Sequence, residues 1–184
     1  MASVFTHAFF AAAMGGAAYA PRRMPARFWL LSAACAVVPD ADVLAFGFGV
    51  PYGSVFGHRG FTHSLAFALL LGVSVAFVFF RDASNRASLA AFFSLATASH
   101  AALDALTNGG LGVALFAPFS GRRYFFPFRP VEVSPIGLDA FFGEWGLAII
   151  RSELLWVWLP ASLCVVLVII FRRALRPEPP RPTE

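Results

Sequence analysis

The chain has 184 residues, of which 59% are apolar and only 13% are charged. Charged residues make up about a quarter of a soluble domain, so this composition excludes an ordinary soluble domain. The net charge is +4, but every fixed positive charge is an arginine beside an apolar run, a pattern that argues against a nucleic-acid-binding surface. Cys35 and Cys164 both lie inside apolar runs and do not indicate a disulfide framework.

Five apolar segments follow one another along the chain, at about residues 4–20, 28–46, 63–80, 87–106 and 154–171. Each is close to the ~20 residues that a helix needs to cross the hydrocarbon core of a bilayer. A long connection separates the fourth segment from the fifth, and the basic, Pro-rich tail at 172–184 is expected to be disordered. We therefore predict an all-α, polytopic membrane bundle with about five transmembrane helices, forming a single domain over residues 1–171.

The arginines orient this predicted bundle. A five-pass arrangement places nine of them on one side of the membrane and five on the other. Because the cytoplasmic side carries the arginine excess, we expect the C-terminus in the cytoplasm and the N-terminus on the other side of the membrane.

The polar exceptions to the apolar pattern are all four histidines and three of the aspartates: His7, Asp40, Asp42, His58, His63, His100 and Asp104. In the five-pass arrangement all seven fall at the extracytoplasmic face. A charged side chain at the centre of a membrane helix costs about 2.5–3.5 kcal/mol, and a divalent cation shared between helices would neutralise the carboxylates. The sequence therefore predicts one metal site at that face.

Local spacing supports this site. His100 and Asp104 are four residues apart, so they project from one face of a helix. Pro39 disfavours a regular helix around Asp40 and Asp42, so we expect the backbone there to be turned or unwound. Nitrogen and carboxylate ligands without a thiolate favour Zn²⁺ in a catalytic site, with Mn²⁺ or Fe²⁺ as alternatives.

Each residue also has a structural explanation. His100 and Asp104 could form a hydrogen-bonded pair between helices, the two aspartates could solvate a helix end, and His63 could cap its helix. His7 could be a polar residue near a terminus. The agreement of all seven on one face favours the metal site.

Three strings resemble motifs of the YdjM-like family of membrane-bound metal-dependent hydrolases: Pro39-Asp40-Ala41-Asp42, His58-Arg59-Gly60-Phe61-Thr62-His63-Ser64 and Ser99-His100-Ala101-Ala102-Leu103-Asp104. The resemblance covers roughly residues 5–130 and implies a hydrolase of the inner membrane that uses a divalent metal.

A more distant similarity is to zinc-dependent phospholipase C and the S1/P1 nucleases. Those enzymes place an early His, an Asp and a later His-x-x-x-Asp pair around a cluster of zinc ions. The matching positions here are His7, Asp40 or Asp42, His63, His100 and Asp104. No histidine follows His100, so the resemblance implies one or two ions rather than three.

The function that we expect is hydrolysis of a phosphoester, including a lipid-linked one, by metal-activated water. The expected metal ligands are His7, Asp40, Asp42, His63, His100 and Asp104, with one of the Asp40/Asp42 pair available instead as a base or as a partner that orients a histidine. We expect His58 to be a ligand or general acid, and Arg59 to clamp the substrate phosphate. Arg122, Arg123 and Asn108 are expected to contact the substrate headgroup, and the expected partners are this substrate and the lipid bilayer.

Two other classes of protein fit the same residues. A transporter or proton-coupled carrier would also place His and Asp within the membrane, near its midplane and on interrupted helices. A membrane assembly protein would bind a purely structural metal, with a closed ligand set and no adjacent cationic pocket.

Overall fold

The computed structural model describes residues 1–20, 22–136, 141 and 143–175. Over these residues the chain is helical, with two isolated β-bridges and no strand, which confirms the predicted all-α class. The α-helices are α1 (Val4–Tyr19), α2 (Ala26–Val37), α3 (Leu65–Phe79), α4 (Arg86–Ala105), α5 (Glu144–Glu153) and α6 (Leu159–Ala174). Two 3-10 helices span Val38–Phe48 and Phe61–His63, and a π-helix spans Leu154–Trp158.

The second apolar segment changes helix type at its proline. α2 ends at Val37, and the chain continues without a break as the 3-10 helix Val38–Phe48, with Pro39 in its first turn. Proline has no backbone N–H and disfavours the α conformation of the residue before it, so it ends the regular α-helix. This confirms the prediction that the backbone around the two aspartates is not a regular α-helix.

The last helical stretch is longer than the predicted fifth segment. α5, the π-helix and α6 follow one another directly, and the stretch Trp145–Ala174 has 30 residues. Pro160 lies in the first turn of α6 and cannot donate to the preceding turn, which accounts for the irregular π geometry just before it. The helix also includes Arg172 and Arg173, which were expected in the disordered tail; residues 176–184 lie outside the described residues.

The number of membrane spans differs from the prediction. Within the described residues, two helical stretches are long and apolar enough to cross a membrane, Ala26–Phe48 and Trp145–Ala174. The other apolar helices, α1 and α3, have 16 and 15 residues, which is short of the ~20 needed to span the hydrocarbon core. Five transmembrane helices are therefore not supported. The extracytoplasmic position of the site was deduced from five crossings, so it is not supported either.

Helix α4 is at the centre of the packing. It contacts α3 along its length, and it also packs against α2 and α1, while α1 contacts α6. The core between these helices is aromatic: the Phe28 ring lies 4.9 Å from Phe92 and 5.7 Å from Phe93, centroid to centroid. This rigid core fixes α4, and so fixes the positions of the polar residues at its C-terminal end.

The close approach of α3 to α4 requires a glycine. A Cβ added at Gly72 would lie 2.2 Å from the backbone nitrogen of Ser94. We expect Gly72→Ala to lower the free energy of unfolding by about 1–3 kcal/mol, because the helices must move apart. Gly47→Ala is the matched control, since an added Cβ there meets nothing within 4 Å. Thermal unfolding of both purified variants checks this, and equal midpoints for the two would contradict it.

Candidate metal centre

The two aspartates of the Pro39-Asp40-Ala41-Asp42 string point in different directions. A 3-10 helix has about 3.0 residues per turn, so side chains two positions apart cannot share a face. Asp42 faces His58, with 2.6 Å between Oδ1 and Nδ1. Asp40 faces His100, with 3.3 Å between Oδ1 and Nε2. Both carboxylates are buried, and they face different histidines although both were expected among the metal ligands.

His63 enters the same space from the start of α3. It ends the 3-10 helix Phe61–His63 and is buried. The N-cap of α3 is Ser64, whose hydroxyl accepts a hydrogen bond from the Phe67 amide at 3.1 Å. His63 is therefore not needed to cap the helix, and its imidazole is directed towards the aspartates.

His100 and Asp104 reach this space from α4. Both are completely buried, and their four-residue spacing places them on one face of the helix, as predicted. The Nε2 atom of His100 lies 3.0 Å from Nε2 of His63. The Oδ2 atom of Asp104 lies 3.6 Å from the same His63 nitrogen. Three segments that are distant in sequence therefore converge on one point.

The hydrogen bonds of the two imidazoles determine which nitrogens are free. Nδ1 of His100 lies 2.7 Å from the carbonyl oxygen of Ala36, which can only accept, so Nδ1 carries the proton. Nδ1 of His63 lies 3.1 Å from a carboxylate oxygen of Asp42, which fixes the same tautomer. When both rings are neutral, their Nε2 lone pairs face each other, and such an arrangement is stable only with a cation between them.

Four atoms surround this position: Nε2 of His63, Nε2 of His100, Oδ1 of Asp40 and Oδ2 of Asp104. We call them the four-donor cluster. Four of the distances between its atoms are 3.0, 3.3, 3.6 and 3.7 Å. Ligands held tetrahedrally at about 2.0–2.1 Å from a zinc ion lie about 3.3–3.4 Å from one another. The spacing therefore fits one tetrahedral divalent cation.

The Asp40 carboxylate makes no hydrogen bond among the described residues. Both of its oxygens are buried, and Oδ1 lies 3.3 Å from Nε2 of His100 and 3.7 Å from Nε2 of His63. Oδ2 of Asp104 has one cationic neighbour inside the fold, Nε of Arg59 at 2.9 Å. Burying a carboxylate without a donor or cation is costly, so Asp40 favours a bound cation. Burial lowers the pKa of His63, but the carboxylates of Asp104, Asp40 and Asp42 around its ring outweigh this effect and raise the pKa to about 10. In the metal-free chain a proton on His63 supplies the positive charge, and metal binding would release it.

Asp42, His58 and His63 form a second group that is compact enough for an ion. The carboxylate oxygens of Asp42 are already used, however. They accept hydrogen bonds from the Thr62 hydroxyl at 2.7 Å and from the Arg59 amide at 3.1 Å, and they also contact both histidines. We therefore assign Asp40 as the ligand and Asp42 as the partner that orients His63, a common arrangement around metal-bound histidines. His58 contacts Asp42 rather than the four-donor cluster.

His7 lies next to the cluster but is not a member of it. Its ring stacks on His100 with 3.7 Å between centroids, and its Nε2 lies 3.5 Å from Oδ1 of Asp104. The ring is fully buried, and neither of its nitrogens has a hydrogen-bond partner. His7 is thus adjacent to the expected metal and free to exchange a proton or to accept a bond.

Arg59 is placed differently from its expected role. Its side chain is completely buried, and Nε lies 2.9 Å from Oδ2 of Asp104. The other guanidinium nitrogens donate to the carbonyl of Gly109 at 2.8 Å and to the hydroxyl of Thr107 at 2.9 Å. Gly110, at φ +87°, leaves room for this head group, since a Cβ there would lie 2.7 Å from the Arg59 Nη1 atom. Arg59 therefore holds Asp104 from inside the fold, and its burial does not favour the expected role as a clamp for a substrate phosphate, which stays a prediction.

The remaining residues expected to contact a substrate are mostly engaged within the chain. Arg123 is half-buried and donates to five backbone carbonyls, among them those of His58 and Arg59, so it supports their loop. The side chain of Asn108 donates to Glu132 and accepts from the Val133 amide. Arg122 is exposed and lies over the ring of Tyr124, and the side chain of Asn108 is also exposed.

Several supporting residues were missed by sequence reasoning. Thr62 lies in the His-Arg-x-x-Thr-His string, and its position beside His63 could have suggested its bond to Asp42. The carbonyl of Ala36 carries no side-chain signal. Glu153 binds the first turn of α1 from 150 residues away, and its spacing in the sequence gave no indication of this.

Comparison with known proteins places the chain in a family. The sequence profile of the family described as "YdjM inner membrane protein" matches residues 1–175. The chain is 41% identical to "Inner membrane protein YbcI" of Escherichia coli (strain K12), over 166 residues that make up 89% of this chain and 94% of that protein. No solved structure matches. The more distant similarity to the S1/P1 nucleases is not shown by these comparisons. The chain belongs to the YdjM inner membrane protein family.

Proposed function

We propose that this protein is a metal-dependent hydrolase that cleaves a phosphoester carried by a lipid. The observation that carries the proposal is the four-donor cluster, in which two imidazole nitrogens and two buried carboxylate oxygens surround one position. Nitrogen and oxygen ligands without sulfur favour Zn²⁺, with Mn²⁺ or Fe²⁺ as alternatives. A cation held there would bring the pKa of bound water towards neutrality and polarise the phosphoryl oxygen.

The chain's own groups then have defined tasks. His63, His100, Asp40 and Asp104 hold the cation. Asp42 fixes the tautomer of His63, and Arg59 orients Asp104. We assign proton transfer to His7, because its ring lies beside the cluster and neither of its nitrogens makes a hydrogen bond.

An apolar cavity supports a lipid as the substrate. It has a volume of about 410 Å³ and lies between α1, α4 and the helix that includes Pro160. Its lining includes Phe10, one turn after His7, and Leu103, the neighbour of Asp104. Along α1 the lining runs from Phe10 to Ala17, which is roughly 10 Å at 1.5 Å per residue. A hydrocarbon chain fits this shape and polarity, with its head group directed towards the metal.

The cavity yields a prediction about chain length. We expect Ala13→Phe, which fills the cavity, to reduce hydrolysis of a long-chain lipid phosphoester while leaving hydrolysis of a short soluble ester unchanged. The loss should be about fourfold for each methylene displaced from the cavity. Ala12→Phe is the matched control, since Ala12 is exposed and does not line the cavity. Initial rates on both esters check this, and an equal loss on the two esters would contradict it.

A second candidate function is a structural metal site in a membrane assembly protein. The observation that favours it is the closure of the cluster: four protein ligands are present, and their side chains are at most 10% exposed. Structural zinc sites have four protein ligands, whereas catalytic sites keep one position open. A carrier is the third alternative, because Asp40 lies where α2 gives way to a 3-10 helix.

One experiment separates these functions. The purified full chain, loaded with Zn²⁺ in lipid nanodiscs, is incubated with a panel of phospholipids and lipid-linked phosphates, and the released phosphate or head group is measured. We expect turnover that is lost in His7→Ala and in Asp40→Asn. Retained metal without turnover on any ester would favour the structural site, and zinc flux in proteoliposomes would favour the carrier.

A further inference from the structure

A fourth buried carboxylate among the described residues, that of Glu153, lies outside both the four-donor cluster and the Asp42 group. Glu153 is the last residue of α5 and is 3% exposed. Its oxygens accept hydrogen bonds from the amide of Ser3, from the hydroxyl of Ser3 at 2.6 Å and from the hydroxyl of Thr6 at 2.8 Å. Among the described residues, no arginine or histidine forms an ion pair with it. A carboxylate in this position is costly to bury, and its partners all belong to the first turn of α1.

The turn that Glu153 holds is the one that contacts Asp104. The amide of Ala2, next to Ser3, donates to Oδ1 of Asp104 at 2.7 Å. His7 follows on the same helix, with its Nε2 3.5 Å from that same oxygen. With Oδ1 held in this way, the other oxygen of Asp104 faces His63 in the four-donor cluster. Glu153 thus acts on the metal position through two consecutive residues, Ser3 and Ala2.

The π-helix completes this arrangement. It begins directly after Glu153, and it brings the indole of Trp158 to Thr6, where Nε1 donates to the hydroxyl oxygen at 2.7 Å. The Thr6 hydroxyl donates its own hydrogen bond to Glu153, so the donors follow one direction, from Trp158 through Thr6 to Glu153. Val157, in the same π-helix, is buried against Ala2 and Leu103. Single π turns often occur at functional sites. This one places Glu153 and Trp158 so that both bond to residues at the start of α1.

We propose that Glu153 is a positioning residue of the metal centre: it holds the first turn of α1 so that the Ala2 amide fixes the orientation of Asp104. This proposal rests on the metal centre of the proposed function. Partners that orient metal ligands without touching the metal typically contribute about 10–100-fold to metal affinity. The competing explanation is that Glu153 only joins α1 to the last helical stretch and contributes to stability alone.

Arg172 provides a matched control for that explanation. It also joins α1 to the last helical stretch, at the opposite end of α1, through hydrogen bonds from Nη1 to the carbonyls of Ala18 and Ala20. These contacts are at the end of α1 away from His7, so they secure the same pair of helices without reaching Asp104. If Glu153 only joins the helices, Glu153→Gln and Arg172→Gln should have similar effects on Zn²⁺ affinity and on thermal unfolding.

The test measures Zn²⁺ affinity by chelator competition on the purified full chain, together with thermal unfolding of the metal-free protein. We expect Glu153→Gln to weaken Zn²⁺ binding by about 10–100-fold. We expect Arg172→Gln to bind as the wild type does. A Co²⁺-loaded sample should also show an altered visible absorption spectrum in Glu153→Gln only, because the geometry around Asp104 changes.

Several results would overturn the proposal. Wild-type affinity and spectrum in a folded Glu153→Gln variant would do so, as would equal losses in the two variants. If Glu153→Gln does not fold, Thr6→Val removes one donor to Glu153 with little change in volume, and its wild-type affinity would also count against the proposal. A wild type that binds no metal would instead refute the metal centre itself, and the positioning role with it.

Discussion

Replacing His100 with alanine is expected to abolish tight metal binding. His100 supplies one of the two facing Nε2 atoms, and no other described nitrogen lies in its place. The loss of affinity should exceed the ~10–100-fold that removal of a supporting partner causes. Zinc content after gentle purification, and affinity by chelator competition, are the measurements.

His58→Ala is the matched control for this prediction. His58 belongs to the alternative group with Asp42 and His63, and His100 does not. Because the nitrogen of His58 bonds to Asp42 and not to an atom of the four-donor cluster, we expect its loss to weaken binding by at most about tenfold. The reverse order, with strong binding in His100→Ala and none in His58→Ala, would show that the ion is held by the Asp42 group.

Replacing Arg59 with methionine is expected to destabilise the fold strongly. The change leaves Asp104 without its guanidinium partner and leaves the Gly109 carbonyl and the Thr107 hydroxyl without their donor. Breaking one side of a buried ion pair costs about 3–5 kcal/mol. The decrease should be visible as a lower unfolding midpoint in detergent, in both the metal-free and the loaded protein.

The exposed Arg122 serves as the comparison. Its guanidinium lies 5.7 Å from the Tyr124 ring centroid and has no buried partner among the described residues, so Arg122→Met should cost about 0.5–1 kcal/mol at most. If Arg59 instead clamped a substrate phosphate, Arg59→Met would keep the wild-type unfolding midpoint and raise KM. That result would restore the role expected from the sequence.

The convergence of the histidines and aspartates could be predicted in part because some of them follow local rules. The four-residue spacing of His100 and Asp104 fixes a common helix face, and Pro39 marks the change of backbone that separates Asp40 from Asp42. Which of the two aspartates joins the four-donor cluster could not be predicted, because it depends on which face of the 3-10 helix Val38–Phe48 lies towards α4. His58 and Thr62 bond to the carboxylate of Asp42, which leaves Asp40 for the cluster, and these contacts exist only in the folded chain.

The roles of the charged residues outside the cluster were harder to predict. An arginine between two histidines is consistent with either a substrate clamp or a buried support, and only its burial distinguishes the two. Glu153 acts across 150 residues of sequence, so its spacing gives no indication of its partner. The number of membrane spans was not supported for a simpler reason: α1 and α3 have only 16 and 15 residues, and α4, with 20 residues, is not among the stretches that are apolar enough to span.

X-ray absorption at the zinc edge of the purified wild-type chain tests the central claim most directly, because it reports the ligand atoms around the metal. We predict one zinc ion per chain with about four nitrogen and oxygen ligands at about 2.0–2.2 Å and scattering from two histidine rings, and no tightly bound zinc in His100→Ala. A protein that retains no zinc, or a zinc ion bound through sulfur, would contradict the assignment of His63, His100, Asp40 and Asp104 as its ligands.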